Sequence, residues 1–132
     1  MRMSGELYGE KALRENALER FENRTRHRDY TIRFTCPEFT CLCPRSGFPD
    51  FATIHIEYQP AEFCVELKSL KLYINNFRDQ KIFHEDVANR LLDELSGLLL
   101  PKYMRVHADF TVRGNIHTTV TAVHGVKIPN ID

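Results

Sequence analysis

The chain has 132 residues, 42% hydrophobic and 27% charged, which is the size and balance of one soluble globular domain. Its 18 Lys and Arg match its 18 Asp and Glu, and a formal charge of zero argues against a nucleic-acid binder, which carries a basic excess. No apolar run approaches the roughly 18 residues that span a membrane, and the N-terminus lacks the apolar centre of a signal peptide.

The expected location is therefore the cytoplasm, with no membrane partner. The four cysteines there (Cys36, Cys41, Cys43 and Cys64) are expected to stay reduced. Residues 1–28 are charge-rich, with apolar Leu13, Leu18 and Phe21, and read as a short, weakly amphipathic helix or an arm. Residues 29–132 read as a single domain.

In 30-YTIRFTCP-37, Tyr30, Ile32 and Phe34 alternate with Thr31, Arg33 and Thr35, the period of a strand. The Cys-, Pro- and Gly-bearing stretch that follows reads as a loop. A second strand spans 51-FATIHIEYQP-60, where Ile54 and Ile56 alternate with His55 and Glu57. In 66-ELKSLKLYINNFRD-79 the period lengthens: Leu67, Leu70, Ile74 and Phe77 share one helical face. A second helix is predicted from about His84 to Leu100, with Val87, Leu91, Leu95 and Leu98 as its apolar stripe. Glu85 and Asp86 suit its positive end, and Pro101 follows its close. Two further strands, 102–112 and 116–125, flank the turn 113-RGN-115 as a hairpin. The order ββααββ predicts an α+β fold, a four-stranded antiparallel sheet with two helices on one face. Its open edges favour closure by oligomerisation.

Three groups of residues could carry chemistry. Cys43 lies in the loop, seven residues before Asp50. A loop thiol near cations can act as a nucleophile, and a carboxyl group in the same cavity can deliver a proton. Burial of the thiol and turn formation by Asp50 explain the same residues without any function. A zinc site is disfavoured, because Cys41 and Cys43 are one residue apart rather than two to four. On the first predicted helix, Lys68, Lys71, Asn75 and Arg78 form a second stripe. It is either a solvated face or a grip for phosphates, and Arg113 could join it. No G-x-G-x-x-G follows a strand, so a dinucleotide would not bind in the Rossmann manner. In 83-FHED-86, Glu85 at a helix start is either a favourable first-turn residue or an acceptor for an amidine-like edge such as that of guanine.

Together 36-CPEFTCLCPRSGFPDFATI-54, 66-ELKSLKLY-73, 82-IFHED-86 and 109-DFTVRGNI-116 resemble the unimodular NADPH-dependent nitrile reductases of queuosine biosynthesis, the 7-cyano-7-deazaguanine reductases. The resemblance covers roughly residues 28–117, and the N-terminal arm has no evident counterpart in it. It implies a tunnelling fold whose subunits form homo-oligomeric ring barrels, stacked as pentamers, with substrate sites between neighbours. It implies reduction of the nitrile of 7-cyano-7-deazaguanine to a primary amine, through a covalent thioimide, at the expense of two NADPH. By the same resemblance Cys43 is the nucleophile and Asp50 the proton donor. His84 and Glu85 orient the deazaguanine, and Val65, Glu66 and Leu67 lie in a substrate-contacting segment. Lys68, Lys71 and Arg113 hold NADPH phosphates, and no metal takes part. The alternatives are a zinc-dependent cyclohydrolase-like enzyme of the same fold acting on a pterin or GTP, or a purine-binding module without turnover.

Overall fold

The computed structural model describes residues 5–132, so the first four residues of the expected arm lie outside the described residues. In chain order the elements are α1 (Tyr8–Glu15), β1 (Arg20–Glu22), β2 (Ile32–Leu42), β3 (Pro49–Gln59), β4 (Phe63–Val65), α2 (Leu67–Asn75), a 3-10 turn (Asn76–Asp79), α3 (His84–Leu99), β5 (Tyr103–Phe110) and β6 (Thr119–Gly125). The predicted ββααββ unit is present. Strands β2, β3, β5 and β6 form one antiparallel sheet in that order.

Alternation decides which face of the sheet is covered. Ala52, Ile54, Ile56 and Tyr58 of β3 and Met104, Val106, Ala108 and Phe110 of β5 are buried on one face. Against them pack Val87, Leu91, Leu95 and Leu99 of α3, Leu70 of α2 and Phe77 of the 3-10 turn. Burying this face supplies most of the driving force, at about 25 cal/mol per Å² of apolar surface. The stripe on α3 ends one residue later than predicted: Leu99 is buried and Leu98 only half-buried. The stripe on α2 is incomplete, since Leu67 at the helix start is exposed.

Two expectations are corrected. The stretch after Pro37 is not all loop, because β2 continues to Leu42. The β2–β3 register shifts between Cys36 and Phe39, a bulge next to a proline that has no N–H for the ladder. The bulge reverses the alternation, so that Phe39 and Cys41 enter the core where Ile32 and Phe34 had used even positions. The N-terminal segment is more than a helix. Beyond α1 it forms β1, which pairs with β4. Arg20 lies over the Phe63 ring and donates to the Leu98 carbonyl at 2.8 Å. Glu19 N–H donates to Ser69 Oγ at 3.0 Å, tying this segment to the start of α2.

One glycine is required by geometry. Gly125, at the end of β6, has φ +78°, and a Cβ there would lie 2.3 Å from the Lys102 carbonyl oxygen. Gly97, exposed on α3, has open space around it. Gly125→Ala should therefore lower the melting temperature by several degrees, for a cost on the order of 1–3 kcal/mol. Gly97→Ala should leave it unchanged or raise it slightly, since alanine favours a helix interior by about 0.5–1 kcal/mol. Thermal unfolding of both variants measures the contrast.

Candidate active site

Hairpin register brings the first two site residues together. Cys41 pairs with Asp50 and Leu42 with Pro49, so Cys43 begins the connecting turn and Asp50 is the second residue of β3. The turn is closed by Cys43 N–H to the Phe48 carbonyl at 2.9 Å and Gly47 N–H to the Cys43 carbonyl at 2.8 Å. Gly47 takes φ +76°, a conformation few other residues adopt at low cost. The half-buried Cys43 and the buried Asp50 then line one cavity of about 370 Å³, with Ser46, His84, Glu85 and Arg113.

Asp50 is 8% exposed and is held from two sides. Arg113 Nη1 donates to its Oδ1 at 3.0 Å and also to the Pro49 carbonyl. His84 Nε2 lies 3.3 Å from its other oxygen. The His84 ring stacks on core residue Phe110, with centroids 3.8 Å apart and planes 9° from parallel, so the imidazole cannot swing freely. Arg113 is aimed by a two-residue turn. It exchanges hydrogen bonds with Ile116 at 3.0 and 2.9 Å, and Gly114 and Asn115 take φ +54° and +68°, the primed geometry of tight hairpins. Glu85, in the first turn of α3, is exposed at the cavity's rim.

The thiols differ in electrostatics. The Ser46 hydroxyl, followed by the backbone N–H groups of Ser46 and Arg45, hydrogen-bonds Cys43 and pulls its pKa below the ordinary thiol value. Burial first, then the Asp50 charge, pushes Cys41 up to about 12. Burial also raises Cys36. The cysteines do not gather, and among the described residues no three of His, Cys, Asp and Glu form a metal-ligand set. An activated thiol beside a buried, cation-held carboxyl group can add to an electrophilic carbon while a proton reaches the neighbouring atom.

The remaining candidates lie elsewhere. Val65, Glu66 and Leu67 do not line the Cys43 cavity of their own chain. Val65 is buried, and Glu66 caps α2, accepting from Ser69 N at 2.7 Å and Lys68 N at 2.9 Å. Those two backbone donors hold the Glu66 carboxyl below its ordinary pKa. Lys68 and Lys71 do not converge. Lys71 lines a groove of about 720 Å³ between β2 and α2, with Arg33 and Arg78, whereas Lys68 faces a recess beside α1. Arg113, expected on a cofactor phosphate, is engaged by Asp50 in this chain. Ser46 was not singled out from the sequence. Its position three residues after Cys43, where a side chain can reach back across a turn, was the available signal.

These environments predict an order of thiol reactivity. Iodoacetamide should label Cys43 first and leave buried Cys41 unlabelled at pH 8, as read by peptide mass mapping. A lowered pKa means that more thiolate survives as pH falls. Between pH 8.5 and 7, Cys43 should accordingly lose less reactivity than an unstructured cysteine peptide.

Comparison with known proteins identifies the family. A family model described as QueF-like protein matches residues 49–128. The NADPH-dependent 7-cyano-7-deazaguanine reductase of Nitrosococcus oceani is 59% identical over 105 residues, 80% of this chain and 81% of that protein. The protein of the same name from Thermosynechococcus vestitus is 50% identical over 124 residues, 94% of both chains. A match of that extent gives most of residues 1–28 a counterpart, contrary to expectation. The crystal structure of the archaeosine synthase QueF-Like in the apo form shares the fold, with a TM-score of 0.68 at 22% identity, over 74% of this chain and 96% of that one. The chain belongs to the QueF-like family, together with the 7-cyano-7-deazaguanine reductases that it matches along most of its length.

Proposed function

We propose that this chain is an NADPH-dependent nitrile reductase that converts 7-cyano-7-deazaguanine to 7-aminomethyl-7-deazaguanine, a step of tRNA queuosine biosynthesis. The observation that carries the reading is the facing of Cys43 and Asp50 across one cavity, with His84 and Glu85 at its wall. The family relatives at 50–59% identity, named for this activity, support it.

The residue types suit the reaction. A nitrile carbon is electrophilic and takes a thiolate as a soft nucleophile. The Cys43 sulfur bonds to that carbon, one C–N π bond opens, and the nitrogen takes a proton through Asp50 to give a thioimide. Bound NADPH would supply hydride to the carbon of such a species more readily than to a nitrile. Departure of the sulfur leaves an imine, and a second hydride and proton complete the amine. The four-electron change thus takes two NADPH. Glu85 at the cavity rim offers two carboxylate oxygens to the paired N–H groups of the guanine-like edge.

The cavity of one chain lacks the segment 65–67 and the basic groove beside α2. In the proposed assembly a neighbouring subunit brings them, which also covers the sheet edges at β2 and β6. The groove fits a phosphate-bearing cofactor. Its Lys71 and Arg78 form no ion pair among the described residues, and its walls include the apolar Phe34, Leu70 and Ile74. Lys68 and Arg113 would meet phosphates only as part of such an assembly.

NADPH absorbance should fall when 7-cyano-7-deazaguanine is added, with two cofactors oxidised per amine formed. Well-folded protein that oxidises none would overturn the activity. For the shared site, Cys43→Ala and Glu66→Gln are each expected to lose most activity. Co-refolded mixtures should regain up to about a quarter of it, because a random pairing restores one intact interface in four. Mixtures no more active than the separate variants would place the whole site within one chain.

A further inference from the structure

We infer that, on the proposed reading of the Cys43 cavity as the reacting site, Arg113 is a positioning residue for Asp50. It acts in the trapping of the nitrile, by fixing the carboxyl group in the cavity wall, rather than by gripping a cofactor phosphate.

The hydrogen bonds of one nitrogen point to this role. A guanidinium only donates, and each of its terminal nitrogens carries two hydrogens. Arg113 Nη1 gives one to Asp50 Oδ1 at 3.0 Å and the other to the Pro49 carbonyl. Both hydrogens thus go to consecutive residues at the start of β3, which sets the carboxyl group against its own backbone. Asp50 is buried, and His84 Nε2 stands 3.3 Å from its second oxygen. With a partner on each side the carboxyl group cannot rotate without losing one of them.

The backbone aims Arg113 at this target. Thr111 N–H donates to the Phe51 carbonyl at 2.8 Å, so the residue after Asp50 is tied to the chain two residues before Arg113. The turn closed between Arg113 and Ile116 then fixes where the side chain leaves the backbone. The other cations expected to meet phosphates differ. Lys71 and Arg78 form no ion pair among the described residues and line the separate groove beside α2. To reach a phosphate, Arg113 would have to leave a buried carboxyl group and a main-chain carbonyl. Such a group is poorly tolerated without its donors.

Trapping needs a fixed carboxyl group because it moves a proton. Addition of the Cys43 thiol across the nitrile forms the S–C bond and opens one C–N π bond. The hydrogen lost by sulfur ends on nitrogen. Asp50 carries it and finishes as it began, so its oxygens must face both atoms within one cavity. Alkylation of the same sulfur by iodoacetamide expels iodide and needs no proton delivered, so it reports the thiol without the carboxyl group.

The test compares these two reactions of Cys43 without NADPH, in wild type and Arg113→Gln, with near-UV circular dichroism as the check on folding. The rate of nitrile adduct formation, divided by the rate of alkylation, should fall on the order of ten- to a hundredfold in the variant. A general disturbance of the site would slow both reactions and leave the ratio in place. In an Asp50→Asn background, Arg113→Gln should lower the ratio little further, since the two residues act as one unit. An unchanged ratio with weakened NADPH binding would assign Arg113 to the cofactor and overturn the inference, as would losses that multiply fully in the Asp50→Asn background. If Arg113→Gln does not fold, Arg113→Lys serves instead. It keeps the charge but loses the fork, so the ratio should still fall, and an unchanged ratio has the same adverse meaning. Wild-type protein that traps no nitrile would instead refute the proposed activity.

Discussion

The carboxyl group of Asp50 is the joint on which the site depends. It is buried at the mouth of β3 and meets Arg113 from the β5–β6 turn on one oxygen and His84 from the start of α3 on the other. A carboxyl group in that position is costly to bury unless donors meet it. Its two partners therefore do two things at once: they satisfy the group, and they pin three separate elements around Cys43. Phe110 extends the same linkage into the core, since the His84 ring lies flat on it. Packing of the helical layer and geometry of the cavity are in this sense one problem.

The four-stranded plan, its turn at Arg113 and the two long helices were legible because each has a regular period or a turn signal of its own. What escaped had local causes. The bulge at Pro37 reversed the alternation in β2, so Phe39 and Cys41 looked like loop residues although both are buried. Strands β1 and β4 are three residues each, too short for any period to show. The candidate site divides in the same way. Cys43, Asp50, His84, Glu85 and Arg113 meet in one cavity, and the resemblance had named all five. That Arg113 grips Asp50 is a matter of side-chain direction, which motif spacing does not encode.

The separation of the candidate residues into two groups follows from the fold. The Cys43 turn and the start of α3 lie at one cavity, while Glu66, Lys71 and Arg78 belong to α2 and its flank. Glu66 already caps its helix through two backbone N–H groups, which leaves its carboxylate oriented and charged without any ligand. In the proposed assembly, such preorganised charge would suit recognition across a subunit boundary. The proposed chemistry asks for that arrangement: one surface to trap the nitrile carbon, another to bring hydride to it.

Trapping of the nitrile by Cys43 is the central claim, and intact-mass spectrometry tests it directly. Protein incubated with 7-cyano-7-deazaguanine and no NADPH should gain the mass of one substrate per chain, on the peptide that contains Cys43, and Cys43→Ala should gain none. An adduct that survives Cys43→Ala, or no adduct on folded wild-type protein, would contradict the account.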